Sequence, residues 1–205
     1  TGISTATLLP VIAYRYATST ASKPPPLTEF VGLGISPDHG DHNAIGDLVD
    51  ELGVIRLLLR VPSWHIDQLE YYLGFAQRFS NCEILVNILQ CRQSVIDPES
   101  WLRAVDSIIT AFSPLTHEFQ IGNAINRSKW GCRHTGEYLD LLDGINDLRD
   151  RRSDLILAGS SVIDFEPLAT FRTLVNGHHY HLDACSCALY VNRRGSPYAT
   201  QYGLF

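Results

Sequence analysis

Short apolar segments recur along the chain at intervals of about 23 to 37 residues, and this repeat constrains the fold more than any other feature. Helical periodicity or a helix-start signal follows most of these segments. Strand–helix units of this length specify parallel strands joined by right-handed crossovers. The six predicted strands are residues 30–36, 54–62, 82–90, 118–122, 154–163 and 184–191. The repeat therefore predicts an α/β protein with a parallel sheet, either a doubly wound sheet or a barrel.

Local signals place the helices between these strands. A helix over 44–52 has Asn43 as its expected N-cap and Gly53 as its stop. Asp97 and Pro98 supply an N-cap and a first-turn proline for a helix that ends near residue 112. The remaining helices are predicted over residues 66–79, 137–149 and 166–175.

Composition excludes several classes of partner and location. The net charge of −6 with no basic run argues against nucleic acid as the main partner. No apolar run reaches the roughly 18 residues expected of a membrane span. Five cysteines without paired C-x-x-C spacing fit a reducing compartment, so we expect a cytoplasmic protein.

Residues 118–131, EFQIGNAINRSKWG, contain the most informative local pattern. The segment begins as a strand, in which Phe119 and Ile121 alternate with a polar residue, and it continues as an asparagine-rich loop. A buried strand that delivers polar groups at its carboxyl end is how barrels of alternating strands and helices build an active site. The sequence therefore indicates a candidate site at this end of the sheet.

This segment resembles the fourth strand of the clan A (β/α)8 glycoside hydrolases, whose motif is Asn-Glu-Pro-Asn or Asn-Glu-Ile-Asn, and it is most similar to the Gly-Asn-Glu-Ile-Asn of endo-galactanases. The resemblance implies a TIM barrel and places the acid/base glutamate of the family at Ala124. It implies that Asn123 contacts a sugar hydroxyl beside the scissile bond, and it aligns Asn126 with the last asparagine of the motif. Alternatively, both asparagines satisfy backbone groups of the loop.

Two further segments carry the resemblance. RLLLRVPSW is similar to the Val-Arg-Ile-Pro that ends the second strand of clan A cellulases, which implies that Arg60 orients the nucleophile through its guanidinium fork. A surface arginine paired with a carboxylate is the alternative. Tyr190, in LYVNRRG, falls where these barrels often direct a tyrosine or histidine toward the sugar. Trp64 and Trp130 either stack on pyranose rings or anchor their loops.

The catalytic carboxylates of the family are not found at the matching positions. Alanine at position 124 cannot transfer a proton, and the family nucleophile is a glutamate on the seventh strand. Asp164 and Glu166 are the nearest candidates for a replacement acid, although both also suit the start of a helix. Because a barrel needs eight strands and about 250 residues, we expect the barrel domain to be incomplete at its C-terminus.

The sequence thus predicts an N-terminal extension with a proline-rich linker over 1–29 and a glycoside-hydrolase-like barrel over 30–205. The expected function is to act on or bind a saccharide at the carboxyl-end face, without a cofactor or metal. The alternatives are a carbohydrate-binding pseudoenzyme and an unrelated doubly wound α/β protein. A nucleotide-binding sheet is disfavoured, since no G-x-G-x-x-G opens a helix after the first strand.

Overall fold

The computed structural model describes residues 10, 13–14, 17–18, 26–163, 172–173 and 180–188. The chain divides into two compact units, Thr1–Val31 and Gly32–Phe205. The first unit contains the short helix α1 (Leu27–Phe30), which begins directly after Pro26. The other residues of the predicted proline-rich linker, 23–25, lie outside the described residues.

The second unit contains a six-stranded sheet in which the strands follow one another in chain order. Every neighbouring pair is parallel. The strands are β1 (Leu33–Ile35), β2 (Arg56–Pro62), β3 (Glu83–Leu89), β4 (Glu118–Ile121), β5 (Ile156–Ile163) and β6 (Ala184–Ala188). The predicted parallel α/β architecture is thereby confirmed. Strand β1 is shorter than predicted because residues 27–30 are helical.

Helices and short 3-10 turns connect the strands. The helices of the second unit are α2 (His42–Leu52), α3 (Leu69–Ala76), α4 (Arg92–Ile96), α5 (Pro98–Phe112), α6 (Thr135–Leu142) and α7 (Ile145–Arg151). The 3-10 turns are Ser63–Gln68, Gln77–Phe79 and Ser128–Trp130. The predicted helix over 166–175 lies outside the described residues except for 172–173. No helix in the described part of the chain is long and apolar enough to cross a bilayer.

Two of the predicted helix boundaries are set by local capping chemistry. Helix α5 begins as expected, because an Asp97 carboxylate oxygen accepts the Ser100 backbone N–H at 2.9 Å. Helix α2 ends at Gly53, which adopts φ of 59°, as predicted. The N-cap of α2 is Asp41, however, and the prediction of Asn43 was wrong. Asp41 Oδ1 accepts the Asn43 backbone N–H at 2.7 Å.

The single helix predicted over 137–149 is divided into α6 and α7. Gly144 lies between them, and a Cβ built there would come within 2.7 Å of Leu102 Cδ2. The chain therefore approaches helix α5 more closely than a side chain would permit. The apolar periodicity continues across this break, which explains why the sequence predicted one helix.

One face of the sheet packs against the helices. Alternate strand residues such as Leu59, Val86 and Phe119 are fully buried in the same cluster as the apolar faces of α3, α5 and α6. Because successive side chains of a strand point to opposite faces, the residues between them lie on the other face. The helices thus cover the face that carries the hydrophobic core.

The opposite face of the sheet carries polar residues. Arg60 of β2 is in register with Asn87 of β3, which is in turn in register with Gln120 of β4. We call these three residues the polar row. Asn87 and Gln120 are buried, whereas Arg60 is exposed.

Candidate functional site at the carboxyl-end edge

All six strands end at the same edge of the sheet because all neighbours are parallel. At the end of β4 the chain turns at Gly122, whose φ is +84°. A Cβ at this position would lie 2.9 Å from Tyr138 Cε2 and 3.3 Å from Gln90 Oε1. Glycine therefore permits both the left-handed backbone conformation and the close approach of these two side chains.

The backbone of Asn123 is held by Gln90, the residue that follows β3. The Asn123 N–H donates to Gln90 Oε1 at 2.7 Å, and Gln90 Nε2 donates to the Asn123 carbonyl at 2.8 Å. Asn123 Oδ1 accepts the Ser161 hydroxyl at 3.3 Å. The residue is 8% exposed, and the amide nitrogen of its side chain makes no hydrogen bond within the described part of the chain.

Ala124 follows in a left-handed conformation with φ of 46°, and its side chain is fully buried. Its backbone N–H donates to Ser161 Oγ at 3.1 Å. Positive φ is uncommon for a residue with a Cβ, so this conformation depends on its surroundings. A buried methyl group at the position that the resemblance gives to an acid/base has no proton to transfer.

Asn126 has a structural role in the loop. Its Nδ2 donates to the Ile163 carbonyl at 2.6 Å, and its Oδ1 accepts the Ile163 N–H at 2.8 Å. The side-chain amide thereby pairs with the end of β5 as a neighbouring strand would. Both hydrogen-bonding groups of Asn126 are occupied, which matches the alternative that the side chain satisfies backbone groups.

Tyr138, from helix α6, bridges the ends of β4 and β5 just before this loop. Its hydroxyl donates to the Ile121 carbonyl at 2.8 Å and accepts the Ser160 N–H at 2.7 Å. The β5–β6 register is irregular between Gly159 and Val162, over the same part of β5. Burial raises the pKa of the Tyr138 phenol, so the group keeps its proton and remains a donor.

The loop after β4 is also braced from the side. Arg92 of α4 forms a 2.8 Å ion pair with Glu137 and donates to the Gly131 carbonyl at 3.0 Å. The Arg133 backbone N–H and the Arg92 guanidinium lower the pKa of Glu137. Burial raises the pKa of the Cys132 thiol to about 11, so this thiol is a poor nucleophile at neutral pH.

Two tryptophans lie on loops at this edge. Trp64 follows β2 and is 45% exposed, and its ring meets the His65 ring edge-on with centroids 5.9 Å apart. His65 Nδ1 lies 2.7 Å from the Tyr72 hydroxyl, which donates to Asp38 at 2.8 Å. Since the tyrosine proton goes to Asp38, His65 donates its Nδ1 proton to Tyr72, and this fixes the orientation of the imidazole.

Trp130 ends the 3-10 turn after β4 and is partly exposed. Lys129 Nζ lies 5.4 Å from the centroid of its ring, within the range of a cation–π interaction. Each of the two loops therefore presents an accessible indole at the carboxyl-end edge.

Arg60 lies near the end of β2, on the face opposite the helices. It forms no ion pair with the described residues, unlike Arg56, whose Nε lies 3.0 Å from Glu83 Oε2. The Arg60 side chain lines a cavity of about 310 Å³ whose other walls are mainly apolar residues of β1 and α2, together with Ser36 and His39.

The structure brings Asn123, Ala124 and Asn126 together against the end of β5. Tyr190, Asp164 and Glu166 lie outside the described residues. Sequence reasoning missed the residues that hold the loop or face the opposite side of the sheet: Asn87, Gln90, Gln120, Tyr138 and Ser161. A polar residue inside or directly after an apolar strand is the signal that could have identified most of them.

No protein-family model matches the chain, and no curated protein sequence matches it.

Proposed function

We propose that the chain forms a clan A-type (β/α)8 barrel scaffold that binds a saccharide at its carboxyl-end edge. The strand order supports the barrel. With right-handed crossovers, strands that are added in chain order on one side leave every helix on one face. A doubly wound sheet reverses its strand order and carries helices on both faces. Sequential order and a single helix-covered face are the pattern of a barrel wall.

The half-exposed indole of Trp64, on the same edge of the sheet as the Asn123 amide, is the observation that carries the proposal of a saccharide ligand. Pyranose rings have apolar faces that stack on aromatic rings and hydroxyls that need polar partners. Trp64 and Trp130 supply accessible rings, and Asn123 supplies an available donor. A buried, braced loop holds that donor in place before the ligand arrives, which lowers the entropic cost of binding.

Ala124 argues for a protein that binds its ligand without hydrolysing it in the ordinary way. A retaining or inverting glycosidase needs two carboxyl groups, one of which protonates the leaving oxygen. The methyl group of Ala124 cannot do so, and it is enclosed by the loop. We therefore propose binding as the main function. We expect residue 124 to contribute nothing to the hydrolysis of unactivated glycosides.

The unpaired Arg60 favours a second candidate, a retaining glycosidase that keeps its nucleophile. In the resemblance this arginine orients a carboxylate nucleophile, and a guanidinium without a partner among the described residues remains available for that task. An aryl glycoside with an activated leaving group would let the carboxylate displace aryloxide at the anomeric carbon without acid assistance. Azide would then displace the carboxylate and release a glycosyl azide.

The binding proposal is tested by calorimetric titration of the protein with a panel of neutral and acidic oligosaccharides. We expect at least one ligand to bind, with at least tenfold weaker binding after Trp64→Ala. Leu52→Ala is the matched control, because Leu52 is an exposed apolar residue at the end of α2, near the opposite edge of the sheet. Absence of binding across the panel, or equal losses in both variants, would contradict the proposal.

The glycosidase candidate is tested with dinitrophenyl glycosides of the same sugars, with and without azide. A glycosyl azide that appears only with the protein supports a surviving nucleophile. Absence of azide-dependent product, together with confirmed sugar binding, leaves the binding function alone.

A further inference from the structure

Two arginines of β2 have different neighbours on the face of the sheet opposite the helices. Arg56 is in register with Glu83 and forms an ion pair with it at 3.0 Å. Arg60, four residues later and on the same face, is in register with Asn87. The first arginine is neutralised by its cross-strand partner, whereas the second faces an uncharged amide.

Asn87 is itself incomplete in its hydrogen bonding. Its side chain is 2% exposed, and its Oδ1 atom is buried without a hydrogen-bond partner among the described residues. Val86 and Ile88, on either side, belong to the core that packs on the helices, so Asn87 points to the same face as Arg60. Buried acceptors are nearly always satisfied in proteins, so this one requires a donor.

The third member of the polar row does not supply that donor. Gln120 Nε2 donates to the Gly122 carbonyl at 3.1 Å. Among the described residues, the row therefore leaves a cationic donor at Arg60 and an acceptor at Asn87 without partners. Adjacent strands are separated by about 4.8 Å, so these two side chains start from neighbouring positions of the backbone.

We propose that the polar row makes the saccharide site selective for uronic acids, with the sugar carboxylate on Arg60 and a neighbouring ring hydroxyl donating to Asn87. A carboxylate matches the planar N–H fork of arginine through two parallel hydrogen bonds. A sugar hydroxyl supplies the proton that Asn87 Oδ1 lacks. A uronic acid carries a carboxylate and neighbouring hydroxyls on one ring, so one ligand offers both groups.

This inference rests on the proposed saccharide function and specifies its ligand class. Arg60 lines a cavity whose other walls are mainly apolar residues of β1 and α2, together with Ser36 and His39, and this space gives a carboxylate an approach to the guanidinium. A neutral sugar would offer Arg60 only a hydroxyl, which lacks the charge and the second oxygen. The difference in affinity between acidic and neutral sugars therefore measures the contribution of Arg60 to binding.

The test compares the full chain titrated with trigalacturonate and with galactotriose, and with the glucuronate and glucose equivalents, at low and high salt. We expect the better acidic ligand to bind at least tenfold more tightly than its neutral counterpart, with a smaller difference at high salt. Arg60→Gln should remove this preference, because it should weaken binding of the acidic ligand at least tenfold more than binding of its neutral counterpart. Arg60→Lys should retain part of it, because lysine keeps the charge but not the fork.

Arg151→Gln is the matched control, because Arg151 is an exposed arginine at the end of α7 and the change removes the same charge. Its acidic preference should equal that of the unmodified protein. Neutral binding with no acidic preference, or equal weakening of both sugar classes by Arg60→Gln, would overturn the uronic acid proposal and leave the saccharide function intact. If neither class binds, both proposals fail.

Discussion

The hydroxyl of Tyr138 joins two strands at the point where the candidate site begins, which makes Tyr138→Phe an informative perturbation. The hydroxyl donates to the Ile121 carbonyl and accepts the Ser160 N–H, at 2.8 and 2.7 Å. Phenylalanine keeps the ring that packs in the core and removes only the bridging oxygen. The change therefore isolates two hydrogen bonds from the packing around them.

The expected cost follows from what the variant leaves behind. The residue is fully buried, so the freed carbonyl and N–H have no direct access to water. An unsatisfied buried polar group costs about 1–3 kcal/mol, so two such groups predict a loss of about 3 kcal/mol after partial relaxation. This loss is a large fraction of the stability of a typical domain.

Urea unfolding followed by circular dichroism measures this loss as the change in the free energy of unfolding. Tyr71→Phe is the control, because the Tyr71 hydroxyl also donates to a backbone carbonyl, that of Pro37 at 2.7 Å, but the residue is 44% exposed. Because water can replace that bond, we expect Tyr71→Phe to lower the free energy of unfolding by less than about 1 kcal/mol. A loss below about 1 kcal/mol for Tyr138→Phe would refute the strand-bridging role.

Three further predictions concern the same edge of the sheet. Asn126→Asp should lower the unfolding free energy by about 1–3 kcal/mol in urea titrations, because a carboxylate cannot donate to the Ile163 carbonyl; an unchanged midpoint would contradict the bridge. The lowered pKa of Glu137 predicts that its stabilisation is complete above the ordinary glutamate pKa of about 4.3 and is lost as the pH falls through the lower folded value. Thermal melts between pH 3 and 7 should therefore show a flatter acid limb in Glu137→Gln, and identical limbs would argue against the Arg92 brace. Trp64→Ala should weaken sugar binding in calorimetry and leave the melting temperature unchanged, whereas a large fall in that temperature would mean that the indole anchors its loop.

The parts of the fold that the sequence predicted well depend on local chemistry or on strong periodicity. The start of α5 follows from Asp97 and Pro98, which act within one turn of the helix. The parallel sheet follows from the spacing of the apolar segments. Both signals are contained in a short window of sequence, so no knowledge of distant contacts is needed.

The predictions that were wrong concern features that depend on contacts between distant residues or on a choice between neighbouring capping residues. The break between α6 and α7 falls at Gly144, which packs against the side chain of Leu102, a residue remote in sequence. The cap of α2 is Asp41, two residues before the predicted Asn43, because two capping residues stood close together in the same loop. Such choices are decided by geometry that the residue types alone do not determine.

The candidate edge was chosen from the sequence, but the contacts that hold its loop in place were not predicted. The end of β4 was predicted as the candidate edge, and the asparagines do lie there. The supports come from other strands and helices: Gln90 from the end of β3 and Ser161 from β5. Asn87 was predicted as part of an apolar strand, and its isolation without a hydrogen-bond donor became visible only with its neighbours in place.

The measurement that tests the central proposal most directly is hydrogen–deuterium exchange of the protein with and without a saturating oligosaccharide. Saccharide binding at the carboxyl-end edge predicts slower exchange in residues 63–65, 90–94 and 122–131, which follow β2, β3 and β4. The segments that precede the strands, at the opposite edge of the sheet, should exchange at unchanged rates. Protection confined to those segments, or no protection with any sugar of the panel, would contradict the proposed function.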